Sequence, residues 1–195
     1  MPNTPIRRAS ARGFTLIETL ATITVLAILG SITSFILVGA VDGYVNAATQ
    51  AQLHAEASVA MDRAMRELRW IELNPDPAPC TVGPHIDSVT DKSITWDIEL
   101  GGPKVHSLSW SGTAGDPLTL RVDGGATVNL QTDVTAFSVA VYDDTNTVIV
   151  PPLATDDTCC PIRRIALDLT VSRSGQSMSV RTKLFVRSTM SGGGT

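Results

Sequence analysis

The chain has 195 residues and a formal net charge of −4. That length leaves room for one soluble domain beside a long apolar segment, and the acidic balance gives nucleic-acid binding no electrostatic footing. Its three cysteines, Cys80, Cys159 and Cys160, include no Cys-x-x-Cys pair and no zinc-type Cys/His spacing.

Residues 1–13 form a polar leader carrying Arg7, Arg8 and Arg12. The next 28 residues, from Phe14 to Val41, contain a single charged side chain, Glu18. A helix of that length runs about 42 Å, against roughly 30 Å for a bilayer's hydrocarbon core. The stretch 14–41 therefore reads as a membrane-spanning helix, with its basic flank holding the N-terminus in the cytoplasm. An intramembrane carboxylate costs on the order of 2.5–3.5 kcal/mol on insertion scales, which marks Glu18 as a functional residue. Two blander readings stand beside this one. A plain membrane anchor would carry Glu18 as a stray acid. An ordinary secretory signal would need an apolar region of about 7–15 residues and a small-x-small cleavage site. The run is too long for the latter, although Gly39 and Ala40 supply small residues.

Gly13-Phe14-Thr15-Leu16-Ile17-Glu18, behind a short basic leader, resembles the type III signal sequence of type IV prepilins and type II secretion pseudopilins. The resemblance implies cleavage by a prepilin peptidase between Gly13 and Phe14, and N-methylation of Phe14. It makes Glu18 the fifth residue of the mature chain and assigns it a role in assembly. The spacing agrees, because Phe14 and Glu18 stand at i and i+4 on one helix face. The new ammonium of Phe14 then meets the carboxylate of its own helix or of a neighbour's. Glu18 also lies where the positive end of the helix dipole favours an anion.

Gly30, Gly39 and Gly43 offer small-residue surfaces for helix approach, although glycine is common in such helices. Many major type IV pilins carry a proline about a third of the way along this helix; Phe35 stands there instead. Beyond Asp42 the helix continues to about Asn74 with an apolar stripe at Val45, Ala48, Leu53, Ala57, Ala60, Ala64, Leu68 and Ile71. Pro75, Pro77 and Pro79 end it. The stripe predicts a helix half, 42–74, that packs on a domain.

Over 88–190 the period becomes two. Ile94, Trp96, Ile98 and Leu100 alternate; Val105, Leu108 and Trp110 follow; then come Leu118, Leu120 and Val122. Asp123-Gly124-Gly125 marks a hairpin before Val128 and Leu130. Val134 to Tyr142 is a further strand. Ile165, Leu167, Leu169 and Val171 lead through Ser174-Gly175 to Met178, Val180, Leu184 and Val186. The expectation is an α+β, pilin-like fold, in which the helix covers one face of an antiparallel sheet. Long polar connections are expected at 74–93 and 143–163, with a disordered tail at 191–195.

Ala64-Met65-Arg66-Glu67-Leu68-Arg69, the Asp123 turn, Phe137 to Asp143 and Leu184-Phe185-Val186-Arg187 resemble a J-type minor pseudopilin or a related W-type minor pilin. The resemblance implies a non-enzymatic subunit near the tip of the pseudopilus of a type II secretion system. Its partners would be other pseudopilins or minor pilins, the prepilin peptidase and the inner-membrane assembly platform. The protein would be a single-pass protein of the bacterial inner membrane with a periplasmic C-terminal domain, later entering the pseudopilus. A minor pilin of a type IV pilus or competence system is the alternative; a membrane-anchored periplasmic binding or enzymatic domain is another.

No cofactor is expected. His54, His85 and His106 lie far apart without catalytic or zinc motifs and read as surface or half-buried residues. Asp143, Asp144 and Asn146, with Asp156-Asp157, are oxygen-rich enough to hold calcium, as loops of some pseudopilins do. They lack EF-hand spacing, and such clusters are also ordinary turn residues. In an exported domain, Cys159 and Cys160 suit a disulfide, either with each other or with Cys80.

Overall fold

The computed structural model describes residues 15–72, 84–98, 104–154 and 162–186. The chain is α+β: one long helix, α1 (Leu16–Leu68), followed by antiparallel strands. It divides into two compact units, 1–46 and 47–195. The first unit includes the N-terminal part of α1, where no proline interrupts the helix.

In the second unit the strands form two sheets where one was expected. The first contains β1 (Ile86–Val89), β2 (Ser93–Ile98), β3 (Lys104–Ser109), β4 (Leu118–Arg121) and β5 (Thr127–Gln131), paired in chain order. The second contains β6 (Val134–Tyr142), β7 (Val148–Ile149), β8 (Arg164–Arg173) and β9 (Gln176–Phe185), in the order β7-β6-β8-β9. The break falls at Thr132-Asp133, where Asp133 adopts φ +58° and turns the chain out of the first sheet. Alternation shows which face of a strand is apolar but not which strand lies beside it, so one sheet and two leave the same pattern.

Both expected hairpin turns form. Asp123 and Gly124 have φ of 56° and 66°, and Ser174 and Gly175 of 53° and 77°. Positive φ at both central positions is the I′ geometry that matches strand twist. The second turn sets Arg173 opposite Gln176 and carries β8 and β9 through ten consecutive pairs.

The expected long connections are shorter than they looked. β1 lies within 74–93 and β7 within 143–163. Val89 and Leu153 exchange backbone hydrogen bonds of 3.0 and 2.8 Å, which ties the edge of the first sheet to the segment after β7.

One core joins the helix and both sheets: Leu53, Ala57, Met61, Ala64 and Leu68 of α1 with Trp96, Leu108, Phe137, Leu167 and Leu169 among others. Alanine at 57, 60 and 64 leaves room for strands to approach. The stripe runs from Leu53, not from Val45: Val45 and Ala48 are exposed, whereas Met61 and Met65 join the core. The helix ends at Leu68 rather than near Asn74, and Ile71 reaches the core from the turn beyond it. Pro75, Pro77 and Pro79 lie outside the described residues.

Two strand faces differ from expectation. On β3 the inward residues are His106 and Leu108, and Val105 points out. On β5 an irregularity opposite Leu118 and Thr119 inserts Leu130 and shifts the register, so Gln131 is buried, while Val128, paired with the buried Leu120, is exposed on this edge strand. One inserted residue reverses every side chain beyond it.

Candidate functional site

Helix α1 begins at a cap built by Thr15. Its carbonyl accepts from the N–H groups of Glu18 at 3.0 Å and Thr19 at 3.1 Å, and its hydroxyl oxygen accepts from the Glu18 N–H at 3.4 Å. Thr15-x-x-Glu18 has the spacing of a capping box. Glu18 is thus held in the first turn, where unsatisfied N–H groups give the helix end its partial positive charge.

The surface beyond this turn is apolar on all sides. No side chain of the membrane-length window is buried within the chain, and Ile17, Phe35 and Leu37 stand open with their neighbours. A helix apolar all round needs lipid or other helices about it. The hydroxyl groups in this stretch suit such surroundings, because they bond to their own helix. Thr19 donates to the carbonyl of Leu16 at 2.8 Å, Thr22 to Glu18 at 2.9 Å, Thr24 to Ala21 at 2.8 Å, Ser31 to Ile28 at 2.8 Å and Thr33 to Leu29 at 2.8 Å. In hydrocarbon these internal bonds replace the ones water would make. Glu18 is the only ionisable side chain between Leu16 and Val41. Gly13 and Phe14, the residues of the expected cleavage, lie outside the described residues. So do the leader and Cys80, Cys159 and Cys160.

Asp143, Asp144 and Asn146 occupy the β6–β7 turn. The Asp143 carboxylate accepts from the Thr147 N–H at 2.7 Å and from the Thr145 hydroxyl at 2.8 Å, while Asn146 adopts φ +68°. The Thr147 N–H, followed by the Thr145 groups, holds the Asp143 carboxyl below its ordinary pKa. That is the hydrogen bonding of a side-chain turn.

The three histidines have different surroundings. His54 is exposed on α1. His106 is buried, contrary to expectation: its ring lies 5.5 Å from that of Trp96, its partner across β2 and β3, and its Nε2 is 3.1 Å from Asp123. His85 lies beside Asp87 and Asp97, a group that no sequence motif announces. A second unannounced constellation is Glu56, Asp133 and Arg173, which are 40 to 117 residues apart in pairing. Arg173 and Gln52 hold the Glu56 carboxyl below its ordinary pKa, and Glu56 with Asp133 raises that of Arg173.

Among known proteins, residues 8–34 match the family model described as the prokaryotic N-terminal methylation motif. No curated protein matches the chain. The matched segment contains the Gly13–Phe14 junction, the Thr15 cap and Glu18, and it ends inside the exposed apolar helix. A leader, a capped acid in the first turn and a membrane-length apolar helix follow in that order, so the chain carries a prokaryotic N-terminal methylation motif of the type IV prepilin kind at the head of its apolar helix.

Proposed function

We propose that this protein is a minor pseudopilin, a structural subunit at or near the tip of the periplasmic pseudopilus of a type II secretion system. Prepilin peptidase cuts the precursor between Gly13 and Phe14 and Phe14 is N-methylated; the mature helix then waits in the inner membrane. The observation that carries this reading is Glu18, the one ionisable group between Leu16 and Val41, on a helix segment that otherwise exposes apolar side chains and hydroxyls mostly bonded within the helix. An unpaired charge in such surroundings is costly, so a neighbour's terminal ammonium stabilises the subunit as it leaves lipid for the filament. The apolar helix is a reversible anchor, and the sheet-bearing unit faces the periplasm, held outside by the basic leader.

How the second unit is used supports the minor role. Its helix segment from Leu53 to Leu68 is occupied by its own sheets, so partner contacts fall to the membrane segment and to domain surfaces. Extracting the full chain from its native membrane and identifying co-purifying subunits by mass spectrometry tests the reading. Other minor pseudopilins in near-equal amount are expected. Abundance equal to a major subunit, or recovery with pilus components alone, would overturn the assignment.

A further inference from the structure

We propose that His85, Asp87 and Asp97 form a binding site for a divalent first-row transition-metal ion, of which Zn²⁺ is the representative probe. One donor atom from each residue lies within 4.8 Å of the other two. The grouping arises from the irregular start of the first sheet. Ile86 pairs with Trp96 and Ser88 with Thr95, so Asp87 is the inserted residue of a β-bulge. Ile86 and Trp96 are both fully buried in the core. Their chain neighbours His85 and Asp97 turn away from it, and the bulge lets Asp87 join them. The backbone holds the base of the group: the His85 N–H donates to the Glu72 carbonyl at 2.8 Å, and the Asp97 N–H donates to the His85 carbonyl at 3.1 Å.

The polar atoms of this group point to a cation. The side chains of His85 and Asp97 are only 14% and 17% exposed, and His85 Nδ1 and Asp97 Oδ1 are wholly covered without a hydrogen-bond partner. A buried polar atom left so is destabilising. The imidazole Nε2 stands 3.9 Å from Asp97 Oδ2, beyond hydrogen-bond reach. A divalent ion among the three would neutralise both carboxylates and take up the imidazole nitrogen.

The donor set selects the class of ion. Calcium and magnesium take oxygen ligands, whereas an imidazole beside carboxylates suits zinc and its neighbours. Ligand bonds of about 2.0–2.1 Å require donor atoms roughly 3.3 Å apart in a tetrahedral site. Side-chain rotation has therefore to draw the three donors together by somewhat more than an ångström. Three protein ligands leave a position open to water or to a partner's side chain. Bound metal would clip the bulged edge strand β1 to β2.

The test is calorimetric titration of the full chain in detergent, stripped with a chelator, with ZnCl₂ and separately with CaCl₂. Single variants H85Q, D87N and D97N are compared with the triple variant, and circular dichroism monitors the fold of each. The cysteines and remaining histidines are unchanged in all of these chains, so background binding is common to them. We expect one equivalent of Zn²⁺ that disappears in the triple variant. Each single substitution should weaken it by more than the roughly tenfold that loss of a supporting partner costs. Equal Zn²⁺ uptake by wild type and a folded triple variant overturns the site, as does tighter binding of Ca²⁺ than of Zn²⁺. If the triple variant does not fold, undiminished binding in a folded H85Q or D97N overturns it equally.

Discussion

Arg173 near the end of β8 grips Glu56 of α1 with both prongs of its guanidinium, Nη1 to Oε1 at 3.2 Å and Nη2 to Oε2 at 2.9 Å. Its Nε donates to Asp133 at 2.8 Å, in the turn where the chain leaves the first sheet for the second. One side chain thus ties the helix to the second sheet and to the junction between sheets. Planar, bidentate pairing is what distinguishes arginine from lysine at such a point.

Because hydrogen bonds from Arg173 depress the Glu56 carboxyl below its ordinary 4.5, the stabilisation should be complete above pH 4.5. It should fade as the pH falls through the lower value reached in the folded protein. Both side chains are about one-third exposed, so Arg173→Met should destabilise the domain only modestly at neutral pH. Thermal unfolding of wild type and Glu56→Gln across pH 3–7 checks the sign. A difference that grows toward acid would contradict this role.

Spacing puts both Leu53 and Val45 on the apolar stripe, but only Leu53 is buried. Leu53→Ala should destabilise the domain by about 2–5 kcal/mol through the cavity it leaves. Val45→Ala should change its stability by less than about 0.5 kcal/mol. Denaturant unfolding of the full chain in detergent, followed by tryptophan fluorescence, distinguishes the two.

The mature protein should begin at N-methyl-Phe14. Mass spectrometry of chain recovered from cells with active prepilin peptidase checks this directly. A bulky residue in place of Gly13 should leave the precursor whole, whereas Gly13→Ala should be cut in part. A mature start near Val41 would refute the prepilin reading.

Glu18→Leu should insert and be cut as efficiently as wild type, since leucine suits lipid better than a carboxylate. It should fail to enter the filament or its initiating complex. Cross-linking to neighbouring subunits, scored beside the extent of processing, separates the two steps. Normal assembly of this variant would make the carboxylate incidental.

Non-reducing peptide mapping of exported protein should find a disulfide that includes Cys159 or Cys160. Recovery of three free thiols from an oxidising compartment would count against it.

What the sequence determined by itself is the part of the protein whose physics is local. Membrane length, the lone Glu18, the Thr15-to-Glu18 spacing and the two I′ turns each depend on residues a few positions apart. Strand faces were legible where alternation ran unbroken, as on β8. They were misread on β3 and β5, where Val105 and Val128 looked inward and His106 and Gln131 are buried instead. Only the tertiary structure decided that there are two sheets, that the helix packs from Leu53 onward, and that Arg173 meets Glu56. It also decided that His85, Asp87 and Asp97 converge. Those three depend on the β1 bulge and on the β1–β2 register, and Arg173 depends on a contact 117 residues distant. Periodicity reports which side of an element is apolar; which partner covers that side is set by packing between elements far apart in the chain.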